Sequence, residues 1–347
     1  MKYLRNTWYV AAWTSELRDR QLLARRFLNE PVILFRESSG TVRALADRCP
    51  HRQAPLHRGT FDGEVVQCGY HGLAFNGLGE CVHNPHGAVP RAARVKTYPL
   101  VDRYGMLWIW MGDPAGADLN LVPDFSFQEP AEFHVGERYL HVRSSYILEI
   151  ENILDLSHIA YLHPTTLGSG GVSKGEFQSS QEGNVVWSKR ATVGDLVPDS
   201  LADAMGVPRG ALVDRWMDVR WDAPANMMLF GGGVLAGQPR SEGRGVRQAH
   251  CFTPETDTTT HYWFGICFPR SMGELGAKLA QEQADWLKIP FETEDLPMLE
   301  EQQANMLTAG DQRSFLLAGD AAGVRALRVL SKLIEGENAG AAAASEG

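Results

Sequence analysis

The sequence has few cysteines and no long apolar run, and each absence excludes a class of protein. Five cysteines are scattered over 347 residues, an odd and sparse set that argues against a disulfide framework and favours thiols or metal ligands. No apolar run approaches the roughly 18 residues of a membrane span, and the N-terminal MKYLRNTWYVAAW has no apolar core of signal-peptide length. We therefore expect a cytoplasmic protein that does not enter a membrane.

Positive charge is also scarce. Lysine and arginine number 33 against 42 acidic residues, which leaves a net charge of −9. An acidic surface of this kind disfavours nucleic acid and anionic membranes as partners. The composition is otherwise that of a globular protein, and 347 residues exceed the size at which one hydrophobic core stops growing. The chain is therefore expected to fold as two domains.

The pattern of turns and apolar residues changes along the chain. Up to about residue 115, short strand-like segments such as WYVAAW, PVILFRE and YGMLWIWMG alternate with turn residues, which predicts an all-β domain over 1–115. Residues 116–337 mix strands, including HVRSSYILEI and MMLFGGGV, with amphipathic helices, which predicts an α+β domain with an antiparallel sheet. The aperiodic NAGAAAASEG predicts a disordered tail over 338–347. The predicted helices cover about 149–162, 274–288, 296–307 and 321–335.

Two short motifs in the first domain each combine one cysteine with one histidine. Cys49 and His51 form a C-x-H pair, and Cys68 and His71 form a C-x-x-H pair. If two such loops close on each other, the two sulfurs can hold one iron of a 2Fe-2S cluster and the two imidazoles the other, as in a Rieske centre. A zinc site remains the alternative, although it would normally draw two cysteines from one knuckle and two histidines from another. His57 and Cys81 lie outside both spacings. We expect His57 to be a surface or loop residue and Cys81 to be a structural thiol.

A second constellation interrupts an apolar helix in the stretch DLSHIAYLHP. Asp155 and His158 are three residues apart and share a helix face, and so do Asn152 and Asp155. His163 would diverge from His158 by about 140° on a continuous helix. The helix must therefore end near His163, and Pro164 supplies the physical reason, because a residue before proline is pushed out of the helical region.

Two imidazoles at a helix end can share one metal ion with a carboxylate. Two histidines and one carboxylate on one face of Fe(II) form the facial triad of non-haem oxygenases. Asp295 in FETEDLPMLEEQQ is the candidate third ligand. It also stands before Leu296 and Pro297 at a predicted helix start, where aspartate is a favoured cap. Spacing alone leaves both roles open.

These segments together resemble one family. CPHRQAPLHRG and VQCGYHGLAFNGLGEC resemble the Rieske domain of bacterial Rieske non-haem iron oxygenases, and ENILDLSHIAYLHPTTLG and FETEDLPMLEEQQ resemble segments of their catalytic domain. TPETDTTTHYWFG and DAAGVRALRVLSKLI resemble the branch typified by the oxygenase components of vanillate O-demethylase and toluenesulfonate methyl-monooxygenase. The resemblance runs from about residue 3 to residue 335.

The resemblance implies a fold and a set of ligands. The catalytic domain would be of helix-grip (START-like) type, with a curved antiparallel sheet around the iron, and the protein would be a homotrimer in which one subunit's cluster faces the next subunit's iron. His158, His163 and Asp295 would bind the iron. Asp155 would bridge the two centres by bonding to His158 and to His71 of the neighbouring subunit, with Asn152 as a supporting residue.

The resemblance also implies an activity. A reductase containing flavin and a 2Fe-2S centre, or a ferredoxin with its reductase, would bring electrons from NAD(P)H, and O₂ would be used to hydroxylate a methyl or methoxy carbon of an acidic aromatic substrate. The expected outcome is O-demethylation with release of formaldehyde. A ring-hydroxylating dioxygenase, an N-dealkylase and a simple Rieske electron carrier remain as alternatives.

The substrate contacts implied by the resemblance come from two side chains. His250 and Trp286 fall where O-demethylating relatives place pocket residues, and a ring N–H of either could donate a hydrogen bond to an acid group. For Trp286 a place in the core of an amphipathic helix is an equal alternative. The glycines Gly231–Gly233 are expected to leave room beside the pocket.

Overall fold

A computed structural model describes residues 2–309 and 315–345, with side chains described as far as residue 340. The chain forms two compact units. The first comprises Lys2–Val122 together with Thr253–Asp257, and the second comprises Pro123–Phe252 and the chain from Thr258 onward. The sequence placed this boundary at residue 115. The chain around it forms short 3₁₀ turns, two of which are capped by the side chains of Asp113 and Asp118.

The first unit is built from short antiparallel strands. These are β1 (Trp8–Trp13), β2 (Leu23–Phe27), β3 (Glu30–Arg36), β4 (Val42–Ala46), β5 (Thr60–Phe61), β6 (Val65–Gln67), β7 (Ala74–Asn76), β8 (Cys81–His83), β9 (Leu100–Arg103) and β10 (Met106–Trp110). They pair as three small sheets in the orders β1-β10-β9, β2-β3-β4 and β5-β6-β7-β8. Aromatic and aliphatic side chains from β3, β4 and β7 pack with Cys49 and Cys68 in one hydrophobic cluster. The predicted all-β character is confirmed.

The second unit is one large sheet with helices. Its strands are β11 (Phe133–Val142), β12 (Glu176–Glu182), β13 (Val185–Leu196), β14 (Leu212–Asp222), β15 (Asn226–Leu235), β16 (Arg244–Pro254) and β17 (Thr260–Pro269). Its helices are α1 (Tyr146–Leu154), α2 (Ile159–Leu162), α3 (Asp199–Met205), α4 (Gly273–Pro290), α5 (Leu296–Thr308) and α6 (Ala321–Ser345). The seven strands run in the order β11-β17-β16-β15-β14-β13-β12. The pairing of β11 with β17 and those of the successive strands from β12 to β16 are antiparallel. This confirms the α+β class.

One face of this sheet carries the helices. Ser188 on β13 donates a hydrogen bond from Oγ to the carbonyl of Leu154 at the end of α1, at 2.7 Å. Gly136 on β11 lies so close to α4 that an added Cβ would stand 2.0 Å from the carbonyl oxygen of Ala280. Glycine is required there because a side chain would push the helix off the sheet. We use the name helix face for the side of the sheet from which the Ser188 side chain projects.

The predicted helix over 149–162 is wrong in its continuity. α1 ends at Leu154, a 3₁₀ turn covers Leu156–His158, and α2 follows. Asp155 interrupts the helix with φ −118° and ψ 87°, and its side chain accepts a hydrogen bond from the Ser157 amide, which starts the next turn. The predicted strand HVRSSYILEI is wrong beyond Val142, because Ser145 caps α1.

The end of the chain also differs from the expectation. The sequence predicted a helix over 321–335 followed by a disordered tail over 338–347, but α6 continues to Ser345. Alanine has the highest helix propensity, so an alanine-rich segment extends a helix without needing an apolar stripe. The last two residues of the predicted tail lie outside the described residues. Among the helices of the described chain, we find none with the length and apolar character needed to cross a membrane.

Candidate active site and metal centres

The four residues of the two mixed motifs come together in the first unit. Cys49 and Cys68 are both buried and belong to the same hydrophobic cluster. The rings of His51 and His71 lie edge to face with their centroids 4.6 Å apart. Burial and the neighbouring Cys68 raise the pKa of the Cys49 thiol. The two loops therefore present two buried sulfurs and two more accessible imidazoles.

Backbone geometry holds the second of these loops. The amide of Cys68 donates to the carbonyl of Leu73 at 2.8 Å, and the amide of Gly72 donates back to the carbonyl of Cys68 at 3.0 Å. Gly72 has φ +74°, a left-handed conformation that glycine adopts without strain. Gly69 has no room for a side chain, because a Cβ would lie 2.7 Å from the Arg58 carbonyl oxygen. The two glycines thus shape the loop that carries His71.

His57 contributes more than a surface position. Its backbone amide donates to Oδ1 of buried Asp47 at 2.8 Å, and its Nδ1 contacts Oδ2 of the same carboxylate. Asp47 lies two residues before Cys49, so this pair fixes the start of the first ligand loop. The motif spacing gave no sign of the contact, because it joins residues ten positions apart. Cys81 packs beside the cluster and directs Sγ to the His83 carbonyl at 3.4 Å.

The second centre gathers His158, His163 and Asp295. One ligand atom from each lies within 4.8 Å of the others. His163 Nε2 is 3.1 Å from Asp295 Oδ2, and His158 Nε2 is 3.5 Å from Asp295 Oδ1. The His163 side chain is 1% exposed and that of Asp295 is 8% exposed. Two imidazoles and one carboxylate are therefore buried around a common point.

Local chain breaks bring these side chains together. The interruption at Asp155 reorients the turn that bears His158, and His163 leaves the helical region after α2, with φ −116° and ψ 43°. Asp295 ends a π-helical segment, Phe291–Asp295, that joins α4 to α5 without a gap. Such segments are rare and frequently occur at functional sites. The cap role that the sequence left open for Asp295 is wrong, because its side chain makes no capping hydrogen bond.

Neighbouring polar groups orient the three side chains. Nδ1 of His163 contacts Oε2 of Glu294, which also accepts a hydrogen bond from Thr166 Oγ1 at 2.9 Å. Asn152 donates from Nδ2 to Asp295 Oδ1 at 3.2 Å. A carboxylate on the far nitrogen of a histidine fixes its tautomer and makes the other nitrogen a better ligand. Sequence reasoning missed Glu294, although its position directly before Asp295 is a usable signal.

The two histidines differ in their electrostatics. Burial lowers the pKa of His158 and outweighs the opposing charge of Asp295. Burial also opposes protonation of His163, but the hydrogen bonds and charges of Asp295 and Glu294 together raise its pKa. A divalent cation in this position would compensate the negative charge of Asp295 and keep both imidazoles neutral.

Asp155 makes contacts that differ in detail from the expectation. His158 Nδ1 donates a hydrogen bond, at 2.8 Å, to the main-chain carbonyl of Asp155 and not to its carboxylate. The carboxylate accepts from the Ser157 amide at 3.0 Å and from Nη2 of Arg190 at 3.2 Å. Gly319 packs against it so closely that a Cβ would lie 2.3 Å from Oδ2. Arg190, which the sequence did not single out, therefore holds this carboxylate in place.

The two expected substrate residues occupy different environments. His250 is fully buried on β16, where Nδ1 bonds to the Tyr262 hydroxyl at 2.7 Å and the ring packs against Phe264 and Phe291, which also contact each other. Burial lowers the pKa of His250 to about 3, so its ring is neutral at physiological pH. Trp286 on α4 is half-buried and packs against an apolar cluster from α3 and its surroundings. The structure does not bring these two rings into contact.

The three glycines on β15 are not equivalent. A Cβ on Gly232 would lie 2.4 Å from the Trp216 ring, and one on Gly233 would lie 2.4 Å from Met205 Sδ. At Gly231 the nearest heavy atom would be Gln248 Nε2, 4.0 Å away. The expectation of open space therefore applies to Gly231 alone.

The residues present fit the groups that the sequence suggested. Two buried thiols beside two outward imidazoles match the mixed donor set of a Rieske cluster. Two histidines and a buried carboxylate, each oriented by its own hydrogen bond, match a mononuclear non-haem iron site. Without a cation, Asp295 would be a buried carboxylate that no lysine or arginine of the described residues pairs with, and that only the two histidines contact as potential cations.

Comparison with known proteins supports this assignment. Residues 7–99 match the Rieske 2Fe-2S domain model, and residues 142–336 match the vanillate O-demethylase oxygenase C-terminal domain model. The chain is 36% identical to the iron-sulfur subunit of the toluene-4-sulfonate monooxygenase system of Comamonas testosteroni, over 98% of this chain and 99% of that protein. It is 34% identical to the oxygenase component of dicamba O-demethylase of Stenotrophomonas maltophilia, over 96% and 98%.

A solved structure extends the comparison to the whole fold. The crystal structure of dicamba monooxygenase bound to 3,6-dichlorosalicylic acid superposes with a TM-score of 0.90 at 33% identity, covering 98% of this chain and 100% of that one. Both domain models and the full-length relatives therefore agree on one family. The chain belongs to the Rieske oxygenases, as an oxygenase component of the demethylase and monooxygenase kind.

Proposed function

We propose that this protein is the terminal oxygenase of a multicomponent monooxygenase that oxidises a methyl or methoxy carbon of an aromatic acid, with O-demethylation as the principal reaction. The observation that carries the proposal is the convergence of His158, His163 and Asp295 in the second unit. A Rieske electron carrier would need the first centre alone. A buried and oriented three-ligand site is the additional feature of an oxygenase.

We assign the metal ligands as follows. Cys49, His51, Cys68 and His71 would hold a Rieske 2Fe-2S cluster, and His158, His163 and Asp295 would hold one non-haem iron. When bound, these groups supply the one-electron chemistry by which O₂ is activated.

The overall reaction balances without further co-reactants. A methoxy substrate, O₂, NAD(P)H and one proton give the hydroxylated methoxy carbon, water and NAD(P)⁺. The hydroxylated carbon is a hemiacetal, which breaks its bond to the ring oxygen and leaves a phenol and formaldehyde. The names of the relatives, which include an O-demethylase and a sulfonate monooxygenase, support this class of reaction.

The protein's own residues have three tasks in this proposal. Glu294 keeps the His163 ring in the tautomer that leaves Nε2 free for a ligand. Asp155, held by Arg190, offers a fixed carboxylate beside the turn of His158 and would bridge to His71 of a neighbouring subunit. His250 presents a neutral Nε2 on the sheet for the acid group of a substrate, and Trp286 remains a candidate second contact.

Partners follow from the same proposal. An oxygenase component needs a reductase, or a ferredoxin with its reductase, to bring electrons from NAD(P)H. The Asp155 bridge requires a second copy of the chain, and we propose a homotrimer in which each cluster serves the iron of its neighbour. Size-exclusion chromatography with light scattering would return the mass of three chains, while a monomer would remove the bridging role.

The test is product analysis. Methoxylated and methylated aromatic acids would be incubated with the protein, a surrogate reductase, NADH and labelled O₂. Formaldehyde release together with a phenol supports the proposal. Two labelled oxygens on the ring would identify a dioxygenase, release of formaldehyde from N-methyl substrates alone would identify an N-dealkylase, and electron transfer without any product would identify a carrier.

A further inference from the structure

Two polar side chains on β16 each leave one buried atom on the helix face without a partner in the described part of the chain. Among the described residues, neither His250 Nε2 nor Gln248 Oε1 has a hydrogen-bond partner, and both atoms are buried. The two residues are two positions apart on one strand, so their side chains project from the same face of the sheet. Buried polar atoms in native proteins are nearly always satisfied, so an unsatisfied pair on one face marks a place where the partner comes from outside.

The neighbouring strand leaves space at this place. On β15, Met227 lies opposite His250 and Leu229 lies opposite Gln248. Gly231 is two positions beyond Leu229, so it lies on the same face of the sheet, diagonally across from Gln248. A Cβ on Gly231 would meet Gln248 Nε2 at 4.0 Å and no other heavy atom within 4 Å. The space beside Gly231 is therefore open, and the amide of Gln248 is the group nearest to it.

This place adjoins the proposed iron site. The His250 ring centroid lies 6.1 Å from that of Phe291, and Phe291 begins the π-helical segment that ends at Asp295. Phe264 also packs against His250, with ring centroids 6.5 Å apart, and contacts Phe291 at 5.1 Å, so the two phenyl rings form one aromatic wall on the same side of His250. An aromatic wall beside two polar groups is typical of a pocket for a flat, substituted ring.

The hydrogen bond between Tyr262 and His250 decides whether His250 Nε2 is a donor or an acceptor. Burial raises the pKa of Tyr262 well above its ordinary value, so its hydroxyl keeps its proton. That proton is satisfied when Tyr262 donates to His250 Nδ1, at 2.7 Å. The remaining proton of the neutral ring then lies on Nε2, which becomes a donor. His250 thus offers a donor, and Gln248 offers a carbonyl acceptor.

We propose that Gln248 and His250 form a subsite for an aromatic substrate that carries a hydrogen-bond acceptor and a hydroxyl or amino donor on opposite sides of one ring. The acceptor, a carboxylate or sulfonate, receives the proton of His250 Nε2, and the donor meets Gln248 Oε1. Two positions along a strand are about 7 Å apart, which a para-disubstituted benzene ring spans. Gln248 is the specificity-determining residue in this arrangement, which rests on the proposed function because it takes an aromatic acid as substrate.

The test compares probes that differ only in the donor. Binding of 4-hydroxy-3-methoxybenzoate, 4-amino-3-methoxybenzoate and 3-methoxybenzoate to the holoprotein would be measured by isothermal titration calorimetry. We expect the two donor-bearing probes to bind about tenfold more tightly, since a site built to hydrogen-bond a substituent discriminates strongly against its absence. Gln248→Leu should reduce this ratio to about one, and Gln248→Asn, which keeps the amide but shortens its reach, should reduce it in part.

Gln178→Leu, at an exposed amide on β12, is the matched control and should keep the wild-type ratio. Equal affinity for the three probes in the wild type, no binding of any of them, or an unchanged ratio in Gln248→Leu would overturn the subsite. Formaldehyde release is scored separately. Turnover of 3-methoxybenzoate without any donor preference would therefore refute this inference and leave the proposed function intact.

Discussion

Glu149 on α1 is a buried carboxylate whose cost can be worked out from the structure. Its side chain is almost completely covered, Ser144 Oγ donates to Oε1 at 2.7 Å, and no cationic side chain of the described chain pairs with it. Burial raises the pKa of Glu149 to about 8, and the charges of Asp295 and Glu300 add to the effect. The folded protein therefore holds a neutral carboxylic acid at neutral pH.

The sign of the pH dependence follows from this shift. In the unfolded chain the carboxyl ionises near its ordinary pKa of 4.5, while in the folded protein it keeps its proton up to about pH 8. Between these values the folded state binds the extra proton, so the contribution of Glu149 to stability is fully present below pH 4.5 and falls by about 1.4 kcal/mol per pH unit as the pH rises. The total loss by pH 8 is about 5 kcal/mol.

Glu149→Gln removes this titration while keeping the side-chain size and the acceptor for Ser144. Between pH 5 and pH 8, we expect the free energy of unfolding of the variant to rise relative to that of the wild type by about 1.4 kcal/mol per pH unit. For a domain of roughly 200 residues, this corresponds to a difference in Tm that grows by about 4 °C per pH unit. Thermal melting at matched metal content is the assay. Glu301→Gln, at an exposed position on α5, is the control. A Tm difference that stays constant over this pH range would refute the reasoning.

Three further predictions concern the metal centres. His163→Ala should remove about one iron per chain and leave the visible spectrum of the cluster unchanged, because the cluster ligands lie in the other unit; retention of that iron would mean that His163 is not a ligand. Asp155→Asn should keep both metals and lose nearly all coupled turnover, so unchanged turnover would contradict the bridge. Arg190→Met should leave the Asp155 carboxylate without its cationic partner and lower turnover while both metals stay bound. In a double-mutant cycle, the effect of Arg190→Met on turnover should largely disappear in the Asp155→Asn background. Additive effects of the two substitutions would show that Arg190 acts elsewhere.

Local patterns predicted the parts of the site that lie within one short segment. The C-x-H and C-x-x-H pairs are each held by a single turn, so their spacing already indicates a shared centre. The end of the helix near His163 was predictable because proline follows it. Asp295 was ambiguous for the same local reason, since an aspartate before Leu-Pro suits a helix cap as well as a ligand.

The sequence by itself thus determined the two-domain α+β organisation, the two mixed-ligand loops and the candidate ligands His158, His163 and Asp295. Only the tertiary structure decided that Asp295 turns away from its cap position, that the main chain of Asp155 bonds to His158, and that Gln248 borders open space beside Gly231. The first and the last of these depend on contacts between segments far apart in the chain, whereas the bond between Asp155 and His158 follows from the interruption of the helix at Asp155. Local propensity does not encode such contacts, because packing and the need to satisfy buried polar groups select among conformations that are locally almost equal in energy.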